Sequence, residues 1–224
     1  MAQLLTPVHP LMRQAVRALI DGQPDMRCCG EAASAREGHE QADALKPDLA
    51  IVDISLSQGS GIELIRDLKA SRPGLPLLAL SMHHEILYAE RALRAGASGY
   101  VTKAEPPERL LEGIRSALKG ELFVSQHQAS SLLNAFVNST PRLRGRFGME
   151  LLSDRELQVF EDIGMGLSTE QIGFKHGISP KTVETYRSHL KRKLGLDDHN
   201  GLVHAAVCWM VDDAAGKPGA RRED

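Results

Sequence analysis

Between residues 152 and 194 the chain repeats one short layout three times: an apolar residue, a serine, and a second apolar residue four positions after that serine. The copies are Leu152-Ser153 with Leu157, Leu167-Ser168 with Ile172, and Ile178-Ser179 with Val183. A serine so placed caps a helix, its hydroxyl accepting from an amide that would otherwise lack a partner, and the apolar pair staples the chain entry. Glu156 and Gln171 stand where a capping box needs them, and Pro180 takes the first-turn position that proline favours. Helices are therefore predicted to start at about Ser153, Ser168 and Ser179, the last two separated by a turn around His176-Gly177. A tight helix-turn-helix followed by a basic helix is a DNA-reading layout.

The third of these helices divides into faces. Val183, Tyr186, Leu190 and Leu194 form an apolar stripe at helical spacing and are predicted to point inward. Opposite them lie Lys181, Thr185, Ser188 and Arg192, with Glu184 and His189 on the flanks. Together with Thr182 and Lys191, Lys181, Glu184, Thr185, Ser188 and Arg192 make up the candidate DNA-binding set, side chains able to bond base edges and phosphates. From Lys175 to Lys193 six Lys or Arg face a single acid, Glu184. Taken alone, such a run also suits the solvated face of an ordinary three-helix domain.

The run "LLSDRELQVFEDIGMGLSTEQIGFKHGISPKTVETYRSHLKRKLGL" resembles the LuxR/GerE-type helix-turn-helix domain over roughly sixty residues, from about 149 to 211. The resemblance implies a recognition helix that enters the major groove, and a fourth helix at about 201–210 that supports dimerisation. Val207 and Trp209 are then dimer candidates, or else they close the small domain's core.

Upstream, five strand-like runs (3–6, 26–31, 49–54, 75–81, 99–102) alternate with helical patterns (11–20, 34–45, 61–70, 86–95, 107–119). Strand then helix, repeated, predicts a parallel sheet covered on both faces, whose sites gather at the carboxyl ends of the strands. Asp53, Ser81 and Lys103 stand at three of those ends. The segments "PDLAIVDISLSQGSGIELI", "LLALSMHH", "RALRAGASGYVTK" and "PPERLLEGIRSALKGE" resemble the receiver domains of NarL/FixJ-type response regulators over about residues 2–122. That resemblance implies a flavodoxin-like, doubly wound five-stranded α/β domain with Asp53 as phosphoacceptor. Ser81 would be its switch hydroxyl, Lys103 its counter-charge and Tyr100 its aromatic switch.

This chain departs from the family where two adjacent acids should hold magnesium after the first strand: Pro7 and Val8 stand there. Magnesium is a hard cation that asks for carboxylates and waters, so its binding is expected to be weak or absent, with no other cofactor. The preferred reading is a phosphorylation-independent receiver. The alternative is a conventional two-component regulator phosphorylated at Asp53 by a histidine kinase.

The expected organisation is a receiver-like domain (1–122), a linker with a possible short helix (123–148), a small all-α four-helix LuxR-type domain (149–213) and a disordered tail (214–224). In the linker, Arg142, Arg144 and Arg146 suit a solvated segment better than a phosphate contact. A net charge of -2 implies no global polyanion affinity and leaves the basic character local. Three cysteines, with Cys28 and Cys29 adjacent, match neither a disulfide framework nor zinc spacing. The start carries no leader-like or membrane-spanning segment, which points to the cytoplasm. Double-stranded DNA, a second copy of the chain and RNA polymerase are the expected partners. A nucleotide- or flavin-binding enzyme is disfavoured because Thr6-Pro7-Val8-His9, not a glycine-rich loop, follows the first strand. A sigma-factor-like region is disfavoured by the receiver-like half.

Overall fold

The computed structural model describes residues 1–5, 10–56, 60–82, 86–126, 128–130 and 148–214, in two compact units that divide between residues 134 and 135. Pro7, Val8, most of the expected linker with its short helix and three arginines, and the expected tail beyond 214 lie outside the described residues.

In the first unit the strands are β1 (Ala2–Leu5), β2 (Arg27–Glu31), β3 (Leu49–Asp53), β4 (Leu77–Ser81) and β5 (Gly99–Thr102). The helices between and after them are α1 (Pro10–Asp21), α2 (Ala35–Leu45), α3 (Gly61–Ser71), α4 (Ile86–Ala95) and α5 (Pro107–Leu118). The sheet is parallel in the order β2-β1-β3-β4-β5, which is the doubly wound arrangement expected from the alternating pattern. Every residue of β3, β4 and β5 is buried, because helices cover both faces and leave no polar side to alternate with. On one face Val16 and Ile20 of α1 and Leu110 and Ile114 of α5 pack over Leu49, Ile51, Leu78 and Val101. On the opposite helices, Ile62, Ile65, Leu68, Tyr88 and Ala92 are likewise buried.

One glycine is fixed by the site it supports. A Cβ at Gly61 would overlap the Asp53 carbonyl oxygen and come within 2.7 Å of the Ile54 Cα, so α3 can start this close to β3 only with glycine there.

Among its described residues the second unit contains a short 3-10 turn (Met149–Leu151) and four helices, α6 (Asp154–Gly164), α7 (Thr169–His176), α8 (Pro180–Leu194) and α9 (His199–Ala214). All three serines cap as the sequence predicts: Ser153 accepts from Glu156, Ser168 from Gln171 and Ser179 from Thr182, the first two in complete capping boxes. Gly177 ends α7 at φ 64°, a left-handed conformation that a side chain would strain, and it makes the turn before α8 tight. Leu157, Phe160, Ile163, Ile172, Val183, Leu190 and Leu202 form the core of this unit.

Candidate nucleic-acid interface and phosphoacceptor site

The faces of α8 sort as its periodicity predicts. Val183 and Leu190 are fully buried and Tyr186 and Leu194 half-buried, whereas Lys181, Glu184, Thr185, Ser188 and Arg192 are exposed and Thr182 and Lys191 half-buried. The Thr185 hydroxyl donates to the Lys181 carbonyl (3.1 Å) and the Ser188 hydroxyl to the Glu184 carbonyl (3.0 Å). With those protons engaged, both oxygens offer lone pairs outward, suited to the exocyclic amines of adenine or cytosine. Glu184 accepts from the Thr169 hydroxyl at 2.9 Å and stands 3.9 Å from Arg187, so α7 holds it in place at the edge of the face.

The basic run is half scaffold, and the three cations outside the candidate set are the ones that are paired. Arg187 is buried and donates to the Thr169 hydroxyl (2.9 Å), with the His199 ring 3.1 Å away. Lys193 reaches the Glu156 carboxylate at 2.6 Å and the Leu151 carbonyl at 3.0 Å. Lys175 meets Asp162 at 2.6 Å. Among the described residues Lys181, Lys191 and Arg192 make no ion pair, and these three are the cations left for phosphates.

Of the two readings open for Trp209, dimer contact or core closure, its packing supports the second. It is 6% exposed and packs on Phe160 with ring centroids 5.7 Å apart, so it closes the core, while Val207 on the same helix stays at the surface. Two buried acids on α6 carry contacts that the sequence reading did not anticipate. Asp162 meets His176 Nε2 at 2.5 Å, and Arg155 lies 3.0 Å from His176 Nδ1. Arginine can only donate, so this geometry assigns His176 as the Nε2–H tautomer, donating to Asp162.

Glu156, identified as a capping residue, also neutralises Lys193. Burial opposes its ionisation, but bonds from Lys193 and from the Ser153 amide prevail and hold the carboxyl below its ordinary range. The stabilisation is therefore present above that range and is lost as pH falls through the lowered value. Glu156→Gln is expected to cost about 2 kcal/mol at pH 7, because it strands the Lys193 ammonium, and progressively less as pH falls through the lowered value. Trp209 is the chain's single tryptophan, so urea unfolding of the full chain followed by its fluorescence reads this unit alone. A cost that did not fall with pH down to acid unfolding would rule out the ion pair.

In the first unit the parallel register brings the ends of β3, β4 and β5 side by side, Asp53 beside Leu80 and Ser81 beside Thr102. Asp53 is 1% exposed; its Oδ2 accepts from Lys103 Nζ at 2.6 Å and its Oδ1 from the Ser55 amide at 3.0 Å. The Lys103 amide donates to the Ser81 carbonyl at 2.7 Å, tying the third strand end to the pair. Ser81 and Tyr100 are buried. Burial pushes the Asp53 carboxyl above its ordinary value despite the opposing pull of Lys103. Two neighbours here were not read from the sequence: Gly61 against the Asp53 backbone, and Glu105, which accepts from the Thr102 amide at 3.0 Å.

Comparison with known proteins agrees with both geometries. Residues 8–115 match the response regulator receiver domain, and residues 150–206 match the luxR family of bacterial regulatory proteins. The oxygen regulatory protein NreC of Staphylococcus aureus (strain MRSA252) is 33% identical, covering 89% of this chain and 93% of that protein. A crystal structure of a LuxR-family two-component response regulator from Aurantimonas sp. SI85-9A1 is 32% identical at a TM-score of 0.58, over 61% of this chain and 97% of that one. The response regulator RcsB of Salmonella typhimurium shares the fold at a TM-score of 0.65 and 21% identity, over 93% of this chain and 97% of its own. The paired strand-end residues, the serine-capped helix-turn-helix and these similarities together make the chain a member of the LuxR-family response regulators, a receiver domain followed by a LuxR-type DNA-binding domain.

Proposed function

We propose that this transcription regulator binds duplex DNA as a homodimer and that its receiver domain works without phosphoryl transfer. The observation that carries the DNA reading is the exposed face of α8, where Lys181, Thr185, Ser188 and Arg192 stand opposite a buried Val183–Leu190 stripe. A single module of this size rarely gains enough affinity for specific binding, so two copies are needed. Two-fold symmetry with one α8 in each major groove places half-site centres about 34–36 Å apart, one helical turn. Footprinting at saturation is expected to protect both halves of a pseudo-palindrome; protection of one lone half-site would refute the dimer.

Phosphorylation independence is supported by the donor set around Asp53. Pro7 and Val8 bring no carboxylate, and Asp53 already accepts from Lys103 and Ser55. A hard dication needs several oxygen ligands, and these residues do not supply them. Under this reading a histidine kinase is not required, and RNA polymerase is the machinery through which the regulator acts. The cytoplasm, where bacterial DNA and polymerase lie, is the proposed location; among the described residues no helix is long and apolar enough to cross a membrane.

A further inference from the structure

Helix α9 carries a thiol–imidazole pair that neither DNA reading nor the receiver uses. Cys208 Sγ lies 3.8 Å from His204 Nδ1 and 3.7 Å from its Nε2, the two residues being one helical turn apart. His204 is exposed, and Cys208 is half-buried and carries a free thiol. Residues three and four apart share a helix face, so Val207 and Val211, both exposed, stand beside the pair. The inner side of the same helix is Leu202, Ala206 and Trp209, all buried. The strip of His204, Val207, Cys208 and Val211 therefore faces away from the core of the small domain.

The separation of the pair fits a metal chelate. Thiolate and imidazole are ligands that zinc favours, and legs of about 2.3 and 2.0 Å at a tetrahedral angle set sulfur and nitrogen about 3.6 Å apart. The pair is thus already near the bite that one ion needs, and a turn of the exposed ring aims a nitrogen lone pair at the shared point. A structural zinc takes four ligands, and among the described residues no third His, Cys, Asp or Glu joins these two. A second copy related by a two-fold axis supplies an identical pair. The exposed valines beside it give the second helix an apolar surface to pack on. Two thiolates also cancel the charge of the dication, and a neutral site suits burial between valines. We propose that a zinc ion bridges two copies of the chain through His204 and Cys208 of each α9. On binding, both thiols release their protons to solvent. The proposal rests on the homodimeric reading and adds a metal to it; the cysteine spacing within one chain shows only half of the site.

The test titrates the metal-free, reduced full chain with cobalt(II), whose intense visible bands report tetrahedral thiolate ligation. Bands that saturate at one cobalt per two chains and vanish on adding zinc are expected, with dimers in sedimentation of the same samples. His204→Ala and Cys208→Ser should each abolish that saturation, whereas Cys28→Ala combined with Cys29→Ala should leave it unchanged. Zinc should tighten self-association at least about tenfold over a chelator in the parent chain, and not in Cys208→Ser. Urea unfolding followed by Trp209 fluorescence shows that the α9 variants are folded. Absence of the bands, or bands that persist in Cys208→Ser, overturns the proposal, as does one cobalt per chain on a monomer. Footprinting in chelator separates the two readings: protection of both half-sites by a chain that gives no cobalt bands keeps the homodimer and removes the zinc.

Discussion

Replacing Lys181 and Arg192 together with alanine is expected to weaken DNA binding at least 100-fold at low salt, and nearly equally on specific and non-specific duplexes. Each cation that neutralises a phosphate releases counterions and contributes about 0.9 to the slope of log affinity against log salt, roughly tenfold in affinity near 50 mM. The double variant should therefore show a shallower salt dependence by about two contacts per domain. Thr185→Ala and Ser188→Ala should act differently, changing which bases are preferred by about 1–3 kcal/mol per contacted pair and leaving the salt slope alone. The Trp209-reported unfolding of all these variants should match the parent chain, because none of the four side chains is buried. Arg187→Ala supplies the contrast: it removes a buried guanidinium bonded to Thr169 and should lower stability before it affects the salt slope. Equal affinity of the parent and the Lys181/Arg192 double variant at moderate salt would sink the assignment of this face.

What could be read from the sequence follows the range of the interactions concerned. Serine caps, capping boxes and the α8 stripe are set within four residues, so Ser153, Ser168, Ser179 and Val183 announce their roles locally. The strand-end trio was legible in two steps: parallel strands gather their carboxyl ends, which grouped Asp53, Ser81 and Lys103, and the receiver resemblance made Lys103 the counter-charge to Asp53, with which it pairs at 2.6 Å. Pairs distant along the chain were not legible. Glu156 and Lys193 lie 37 positions apart and Asp162 and His176 lie 14 apart, and no periodicity marks a buried ion pair. The roles of Arg187, Lys193 and Lys175, which lie outside the candidate DNA-binding set, were accordingly not assigned from the sequence. Trp209 was ambiguous for another reason: positions 202–211 of α9 are apolar nearly all round, so no face is singled out as inner. Packing against Phe160 decides it.

Phosphorylation of Asp53 by acetyl phosphate is expected to be substoichiometric at physiological magnesium, and insensitive to further magnesium. Phosphoryl transfer gains several kcal/mol from a metal that neutralises the donor oxygens; about 4 kcal/mol is roughly a thousandfold in rate. With Pro7 and Val8 in place of carboxylates, Asp53 is the carboxylate left at the described strand ends to hold that metal, and Lys103 already occupies one of its oxygens at 2.6 Å. The ammonium can balance charge on a phosphoryl group but cannot coordinate donor and acceptor together, so it does not replace the dication. DNA affinity should then be the same in the parent chain and in Asp53→Asn, a variant that keeps the shape and one oxygen acceptor for Lys103, provided that its unfolding shows the receiver unit still folded without the carboxylate charge. Pro7→Asp combined with Val8→Asp should restore magnesium binding and phosphorylation, because Asp53, Ser81 and Lys103 already stand at the three adjoining strand ends. Intact-mass spectrometry after incubation with acetyl phosphate distinguishes the readings. Stoichiometric, magnesium-dependent addition of one phosphoryl group to the parent chain, absent in Asp53→Asn, would return this protein to the conventional kinase-driven scheme.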